Sequence, residues 1–247
     1  MKVVFHRDFY QVYTSDPAAS QGRMEAIVKV IEPYVEFVDA IPATVEQIRL
    51  AHTAAHIEKV KREGLYDIAA LAAGGAIRAA ELALKEPSFG LIRPPGHHAS
   101  SDSSWGFCYF NNMAIALEHL RKQGKIKTAY VLDIDLHFGD GTVNILGGKN
   151  YVTVHNVSAQ DRKTYLEEVE AEMAKCQVDI IGISAGFDNH EDDWGGTLKT
   201  EDYLKIGKMV REAANRSGGS CFAILEGGYN HKVLGHNVLA LIKGLSN

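Results

Sequence analysis

The chain has 247 residues, of which 46% are hydrophobic and 23% charged, with a formal net charge of −5. This composition is typical of a soluble globular protein, and the length suits one large α/β domain. A negative net charge without a Lys/Arg cluster argues against a nucleic-acid partner. The scattered cysteines favour a reducing compartment, and the sequence shows no targeting segment or membrane-length apolar segment. We therefore expect a cytoplasmic protein with no membrane partner.

Short β-branched segments alternate with longer segments of helical periodicity along the chain. The pattern predicts strands near residues 4, 36, 91, 131, 152, 181 and 223, and helices over 67–85, 112–122, 164–175 and 200–215. Thr44 and Gln47 have the spacing of a capping box, and Thr200 is a candidate N-cap. The alternation predicts one α/β domain over residues 1–247, with three α/β/α layers and a mostly parallel sheet.

Polar residues follow the carboxyl ends of five predicted strands. These segments are RPPGHHAS (93–100), DIDLH (133–137), HN (155–156), SAGFDNH (184–190) and EGGYN (226–230). Open α/β sheets bind ligands in the crevice at the carboxyl ends of their strands. We therefore expect these five loops to converge on one cleft.

Asp135 and His137 offer two metal ligands at the end of the strand near residue 131. Side chains two positions apart in an extended segment point to the same side, and Asp133 shares that side. A carboxylate and an imidazole suit zinc, but a catalytic zinc normally has three protein ligands. Asp188 follows an apolar strand and a flexible glycine and is the candidate third ligand, whereas a lone aspartate there would more often cap a helix.

The adjacent histidines His97 and His98 could act as general acid and general base near neutral pH. Asp133 and Asp140 lie close in sequence to the proposed ligands and could hydrogen-bond to the two rings, which would fix their tautomers. The glycines before Tyr229 let the chain approach a ligand closely, and the phenol could donate a hydrogen bond to a developing oxyanion. Each of these features alone also occurs in polar loops or among packed side chains that have no catalytic role. The prediction therefore depends on their occurring together.

The segments RPPGHHA, GFCYFNN, DIDLHFGDG, AGFD and LEGGY occur in that order along the chain. Together they resemble the motifs of the zinc-dependent histone deacetylases and of the related acetylpolyamine amidohydrolases and acetoin-utilisation proteins. The resemblance extends from about Pro94 to Tyr229. It implies an arginase/deacetylase-like fold and one zinc ion per chain, bound by Asp135, His137 and Asp188.

The same resemblance implies roles for the other site residues. His98 would act as general base and then general acid, with His97 as its electrostatic companion. Asp133 and Asp140 would support the two rings, and Tyr229 would polarise the amide carbonyl.

The resemblance also assigns contacts to the substrate and to a second cation. Gly106 and Phe107 would line a narrow tunnel, and Gly228 would contact the substrate. Potassium is suggested near Asp133, Asp135 and His137, with backbone oxygens from around Thr153 and Val154.

These assignments imply a hydrolase that removes acetyl groups from acetyl-lysine or from a small acetylated polyamine-type amine and releases acetate. The natural substrate stays open, and so does the formation of a homo-oligomer.

Three alternative functions also stay open. An arginase-like binuclear manganese hydrolase would need further ligands. The VLDIDL segment resembles the strand of haloacid-dehalogenase-type phosphatases, although it lies mid-chain and precedes His137. The third alternative is a non-catalytic binding module.

Several residues depart from the family pattern or lie outside it. Phe138 stands where many members have a second histidine, and Trp194 stands where proline or leucine is common. The acidic segment after Asp188 is expected to form a negative rim that favours cationic substrates; its members are Glu191, Asp192 and Asp193. His52 and His56 lack the glutamate of an HExxH motif, and we assign them to a solvated helix face.

Overall fold

The structure is a computed structural model that describes residues 1–246, so the last residue of the predicted 1–247 domain lies outside the described part. Its strands form a seven-stranded sheet. They are β1 (Lys2–Phe5), β2 (Glu36–Asp39), β3 (Ser88–Gly90), β4 (Ala129–Asp133), β5 (Val152–Asn156), β6 (Ile180–Ala185) and β7 (Ser220–Leu225). The spatial order is β2-β1-β3-β7-β6-β4-β5, and every pairing is parallel. The strand predictions are confirmed, with β3 displaced by two residues from its predicted position.

The α-helices of the described residues connect these strands. They are α1 (Arg23–Ile31), α2 (Val45–Ile48), α3 (Ala54–Arg62), α4 (Tyr66–Ala83), α5 (Asn112–Lys122), α6 (Asp140–Leu146), α7 (Arg162–Lys175), α8 (Thr200–Ser217) and α9 (His231–Ser246). The four helices predicted with explicit bounds correspond to α4, α5, α7 and α8, each within two residues at either end.

Two predicted helix caps have different outcomes. The capping box at α2 is confirmed, because the Thr44 hydroxyl accepts from the backbone N–H of Gln47 and the Gln47 side chain accepts from Thr44 N–H. Thr200 as an N-cap is wrong, since it already lies in the first turn of α8. The Asp202 carboxylate instead accepts from the backbone N–H of Lys199, 2.9 Å away.

Burial of the central strands requires helices on both faces of the sheet. β3, β4 and β6 are buried at every position, and β7 is buried at all but its first. Strands with this pattern are covered on both sides. One group of helices comprises α1, α7, α8 and α9 in mutual contact, and a second is centred on α4 and α5. The resulting three α/β/α layers confirm the predicted fold class. None of the helices described is both long and apolar enough to cross a membrane.

The strand register brings the predicted site loops together. Asp133 at the end of β4 pairs with Ser184 of β6, and Ala185 at the end of β6 pairs with Leu225 of β7. The carboxyl ends of these three neighbouring strands therefore lie side by side, with the end of β3 next to them. This edge of the sheet holds the site.

Candidate active site

Three side chains at the ends of β4 and β6 form a cluster that could hold a metal ion. Ligand atoms of Asp135, His137 and Asp188 lie within 4.8 Å of one another. Nδ1 of His137 is 3.2 Å from Oδ1 of Asp135 and 3.1 Å from Oδ2 of Asp188. Both aspartates are buried, and Oδ2 of Asp188 accepts no hydrogen bond of good geometry from the described residues. A buried carboxylate oxygen left in this way is costly, and a bound cation would satisfy it.

Backbone groups fix the orientation of both carboxylates. Asp135 accepts from the N–H groups of His137 at 3.0 Å and Gly227 at 2.8 Å, and Asp188 accepts from that of Leu136 at 3.0 Å. The carboxylates in turn raise the pKa of His137 to about 10, because its Nδ1 lies within 3.2 Å of an oxygen of each of them. Burial, together with the charge of Asp135, raises the pKa of Asp188 to about 6. The cluster thus concentrates negative charge where a cation is favoured.

His97 and His98 lie beside this cluster with different carboxylate partners. Nδ1 of His97 is 3.1 Å from Oδ2 of Asp133, and Nδ1 of His98 is 2.7 Å from Oδ1 of Asp140. The structure therefore brings together the two histidine–aspartate pairs that the sequence suggested. A carboxylate at Nδ1 fixes the tautomer and leaves Nε2 available for a reacting group.

The two imidazoles have opposite protonation preferences. Burial, together with the charge of neighbouring His97, lowers the pKa of His98 to about 4. Burial also disfavours the charged form of His97, but the carboxylates of Asp135 and Asp133 outweigh it and raise its pKa well above the usual range. His98 is therefore neutral near neutral pH and can accept a proton, while His97 carries positive charge.

Tyr229 enters the site from the glycine segment after β7. Close approach requires glycine at position 227, since a Cβ there would lie 2.6 Å from Oδ2 of Asp135. Burial raises the pKa of Tyr229 above its usual range, so the hydroxyl stays protonated and can donate. Gly228 lies outside the pocket lining, and its carbonyl oxygen accepts from Nε of Arg23 at 2.8 Å.

A pocket of about 110 Å³ leads to these side chains. It is lined by Pro95, His97, His98, Trp105, Gly106, Phe107, His137, Trp194, Gly227 and Tyr229. Phe107 and Tyr229 face each other edge to face, with ring centroids 6.2 Å apart. Gly106 lies against His98, where a Cβ would approach Cδ2 of the ring to 2.4 Å. Gly106 and Phe107 thus both line this pocket, and their contact with the substrate stays a prediction.

The family is shown by sequence comparison. The sequence model of the histone deacetylase domain matches residues 62–165 and 149–245 of this chain. The chain belongs to the histone deacetylase family. A protein named probable deacetylase from Methanothermobacter thermautotrophicus is 30% identical to this family member, over 98% of this chain and 90% of its own length.

Two further similarities support this placement. The acetylpolyamine amidohydrolase of Mycoplana ramosa is 28% identical over 74% of this chain and 64% of its own length. The crystal structure of the HDA15 HD domain matches with a TM-score of 0.85 at 23% identity, covering 99% of this chain and 88% of that one. The resemblance to the deacetylase family and the arginase/deacetylase-like fold are therefore confirmed.

Two tryptophans of this deacetylase-family chain contact proposed catalytic side chains, and the sequence did not indicate these contacts. Nε1 of Trp105 donates to Oδ2 of Asp140 at 2.8 Å, and its ring packs on His98 with centroids 4.0 Å apart. The ring of Trp194 stacks on Tyr229 at 4.0 Å and 25°. The Trp105–Asp140 and Trp194–Tyr229 contacts each join positions 35 apart in the chain, so local sequence patterns could not encode them.

Two buried charged residues, Glu226 and Arg23, bind backbone groups of the site loops. Oε2 of Glu226 accepts from the backbone N–H groups of Gly96 at 2.7 Å and His97 at 3.2 Å, and burial raises its pKa to about 7. Arg23 donates to the backbone carbonyls of Glu226 at 2.6 Å and Gly228 at 2.8 Å. The charged residue at the end of the apolar strand in LEGGY was a usable signal for Glu226. No local pattern pointed to Arg23.

Two of the three acids of the expected negative rim have partners within the protein. Oδ2 of Asp193 accepts from the backbone N–H groups of Tyr229 at 2.8 Å and of the residue after it at 2.7 Å. Asp193 therefore holds the tyrosine segment in place. Glu191 lies 3.8 Å from the ammonium of Lys199, while Asp192 is exposed. Only Asp192 keeps the predicted role of a free surface charge.

The assignment of His52 and His56 to a solvated helix face is also wrong. Both rings are buried, with centroids 5.1 Å apart and Phe110 packed against them. Nε2 of His52 accepts from the backbone N–H of Asn111 at 2.8 Å, and Nε2 of His56 lies 2.7 Å from the carbonyl oxygen of Tyr109. His52 precedes α3, so helical spacing did not apply to the pair.

The residues suggested for potassium lie at different levels along β4 and β5. Asp133 pairs with Asn156 in the β4–β5 register, whereas Thr153 pairs with Tyr130, three positions earlier. Three residues of strand span roughly 10 Å. Thr153 and the following Val154 thus lie further back along the strand than Asp133, and the potassium site stays a prediction.

Proposed function

We propose that the chain is a zinc-dependent amide hydrolase that removes acetyl groups from acetylated amines, releasing acetate and a free amine. The observation that carries this proposal is the meeting of three elements at one small pocket. These elements are the Asp135–His137–Asp188 cluster, the two carboxylate-supported imidazoles and the protonated phenol of Tyr229. The relatives named as deacetylase and acetylpolyamine amidohydrolase support the same reaction class.

Asp135, His137 and Asp188 would hold one zinc ion. Two carboxylates and one imidazole match the ligand types of catalytic zinc sites, which keep one position open. When bound, zinc would polarise the amide carbonyl and lower the pKa of water at the site.

His98 would move the proton between the two halves of the reaction. Its Nε2 takes a proton from the attacking water as the new carbon–oxygen bond forms. The same nitrogen then gives the proton to the amide nitrogen as the carbon–nitrogen bond breaks. Asp140 holds the opposite ring nitrogen at 2.7 Å, which keeps the imidazole oriented through both steps.

Tyr229 would stabilise the oxyanion that develops on the carbonyl oxygen. Its hydroxyl stays protonated because burial raises its pKa, so it can donate throughout the reaction. Stacking of Trp194 and the hydrogen bonds from the tyrosine segment to Asp193 fix its position. A donor fixed in advance costs no reorganisation when the charge develops.

The pocket volume favours a slender acylated substrate. Pockets for drug-sized ligands have volumes of roughly 300–1,000 Å³, and this one has about 110 Å³. The edge-to-face pair of Phe107 and Tyr229 narrows it further. An acetyl group on an unbranched alkyl amine fits this shape better than a bulky acyl group.

The test combines metal content with acetate release. Purified protein should carry about one equivalent of zinc and release acetate from members of a panel of acetyl-lysine peptides and acetylpolyamines. Chelation should abolish turnover, and added zinc should restore it. Zinc-loaded protein that hydrolyses no acylated amine would contradict the proposal. Two manganese ions per chain with hydrolysis of a guanidinium substrate would favour the arginase-like alternative.

A further inference from the structure

Four exposed apolar side chains belong to the pocket lining or to the segment around the lining residue His137. Trp105 and Trp194 line the pocket and are 57% and 53% exposed. Leu136 and Phe138 flank the pocket residue His137 and are 37% and 60% exposed. We call these four residues the apolar rim. They make up half of the large exposed hydrophobic side chains in the described part of the chain, so this surface is concentrated at one place.

The rim is held in a fixed arrangement by contacts with the site. The indole N–H of Trp105 donates to Asp140, and Trp194 stacks on Tyr229. The backbone N–H of Leu136 donates to Asp188, which ties the Leu136–Phe138 segment to the metal cluster. Preorganised aromatic groups lose little conformational entropy when a ligand binds, so such a rim suits recognition.

Most of the nearby acids are not available to a ligand. Asp140 accepts from His98 and Trp105, and Asp193 accepts from the tyrosine segment. Glu191 lies near Lys199. The mouth therefore offers a substrate mainly apolar contact area, with Asp192 as a remaining exposed charge.

We propose that the apolar rim binds the part of the substrate that lies outside the pocket. The preferred substrate is then an acetyl-lysine whose neighbouring residues in a peptide are apolar or aromatic. This inference rests on the proposed function. A chain whose acetyl group reaches the metal cluster passes the exposed rings of Trp105 and Trp194, which line the pocket, and the segment that carries Leu136 and Phe138 adjoins His137 of the same lining. A free polyamine would place a strongly hydrated ammonium over this surface instead.

The first experiment compares two peptides of equal charge with each other and with a cationic acetylpolyamine. We would measure kcat and KM for acetyl-lysine peptides with phenylalanine and leucine neighbours, for the same peptides with serine neighbours, and for N-acetylputrescine. The apolar peptide should have a kcat/KM roughly 10-fold higher than the serine peptide. The difference should lie in KM, because contacts outside the pocket are the same in the ground state and the transition state. Equal values, or a preference for N-acetylputrescine, would overturn the inference.

The second experiment assigns the preference to the rim. Phe138→Ser should reduce the apolar-to-serine ratio from about 10 to about 2–3, whereas Phe138→Leu should keep most of it. The matched control is Ile41→Ser, because Ile41 is 71% exposed and follows β2. Four strands separate β2 from β4, a distance of roughly 24 Å, so this variant should keep both the activity and the ratio. A ratio that Phe138→Ser leaves unchanged would contradict the inference.

A binding measurement keeps the two proposals separate. The two tryptophans of the chain are Trp105 and Trp194, so intrinsic fluorescence reports on the mouth alone. Titration with the two deacetylated peptides should give a Kd ratio of roughly 10 in favour of the apolar one, independently of turnover. Equal Kd values would refute the rim inference, while absent acetate release with zinc bound would refute the proposed function. A dimer that dissociates on Phe138→Ser would assign the rim to a second copy of the chain and also overturn the inference.

Discussion

The pairs His52–His56 and His97–His98 are both buried and have ring centroids 5.1 Å and 4.0 Å apart, but they differ in their partners. The first pair contacts backbone groups on either side of Phe110. The second pair contacts two carboxylates and lines a pocket. Burial and proximity are therefore shared by a packing element and a candidate catalytic element. Charged partners and access to a pocket distinguish them.

Protonation follows the same difference. Burial, together with the neighbouring His56, lowers the pKa of His52 to about 3. His97 is buried as deeply, yet Asp135 and Asp133 raise its pKa well above the usual range. The same desolvation can thus leave one imidazole neutral and another charged, because the neighbouring carboxylates decide the outcome.

The largest expected effect is on the metal. Asp188→Ala removes one of three ligands, so the protein should lose its one equivalent of bound zinc and its turnover. His52→Gln changes the other histidine pair and should keep the full equivalent. Elemental analysis of both variants after gel filtration makes the comparison. Zinc retained in Asp188→Ala would remove Asp188 from the ligand set.

Matched leucine substitutions in the two pairs should separate catalysis from stability. His98→Leu should lower kcat/KM by roughly 10²–10⁴-fold because the proton acceptor is gone. His56→Leu leaves the carbonyl of Tyr109 unpaired, which should cost about 1–3 kcal/mol in the free energy of unfolding and change kcat/KM little. Steady-state kinetics and urea unfolding of both variants test this. Similar kinetic losses in the two variants would contradict the distinction between the pairs.

Tyr229→Phe tests whether the phenol takes part in the chemistry. The substitution keeps the ring that stacks on Trp194 and removes only the hydroxyl. Turnover should fall roughly 10²–10³-fold, as for the loss of one oxyanion donor, while bound zinc and the melting temperature should stay unchanged. Full activity would make Tyr229 a packing residue.

The pH dependence of the free energy of unfolding should show that His52 is neutral in the folded protein. Its folded pKa of about 3 lies below the unfolded value of about 6.5, so the unfolded chain binds the extra proton. The contribution of His52 to stability is complete above pH 6.5 and is lost progressively as pH falls toward 3. Between pH 6.5 and pH 5 this amounts to about 2 kcal/mol. Urea titrations should show a correspondingly weaker pH dependence in His52→Gln, and an identical dependence would mean that His52 charges freely when folded.

The smallest expected effect concerns Asp192, the remaining free charge of the expected negative rim. Asp192 is exposed, so Asp192→Asn should reduce kcat/KM for a cationic acetylpolyamine by no more than about 2–3-fold at low salt. Added salt should abolish the difference. Neutral acetylated amides are the control and should not respond. Asp193 does not suit this test, since its replacement would also release the tyrosine segment.

The sequence predicted what local patterns encode. Apolar β-branched segments predicted the positions of the strands. The polar residues at the carboxyl ends of these strands identified the cleft, because parallel strands end at a common edge. The sequence did not reveal that Asp192 and Asp193 have opposite environments, since the direction of one turn decides which carboxylate faces inward. Nor did it reveal the contact of Arg23 with Gly228, which joins positions 205 apart. The prediction of Thr200 as the N-cap is wrong because the helix begins one residue earlier. Lys199 holds the N-cap position, and its backbone N–H donates to the carboxylate of Asp202.

The parallel order of the central strands has a consequence for folding kinetics. The proposed ligands follow β4 and β6, and Gly227, which donates to Asp135, follows β7. Parallel neighbours need long crossover connections, so these three strands pair only after extensive chain closure, which slows folding. Before that stage the ligand atoms are far apart and offer no tight site. Zinc should therefore leave the refolding rate largely unchanged and slow unfolding, so that it protects the folded state kinetically.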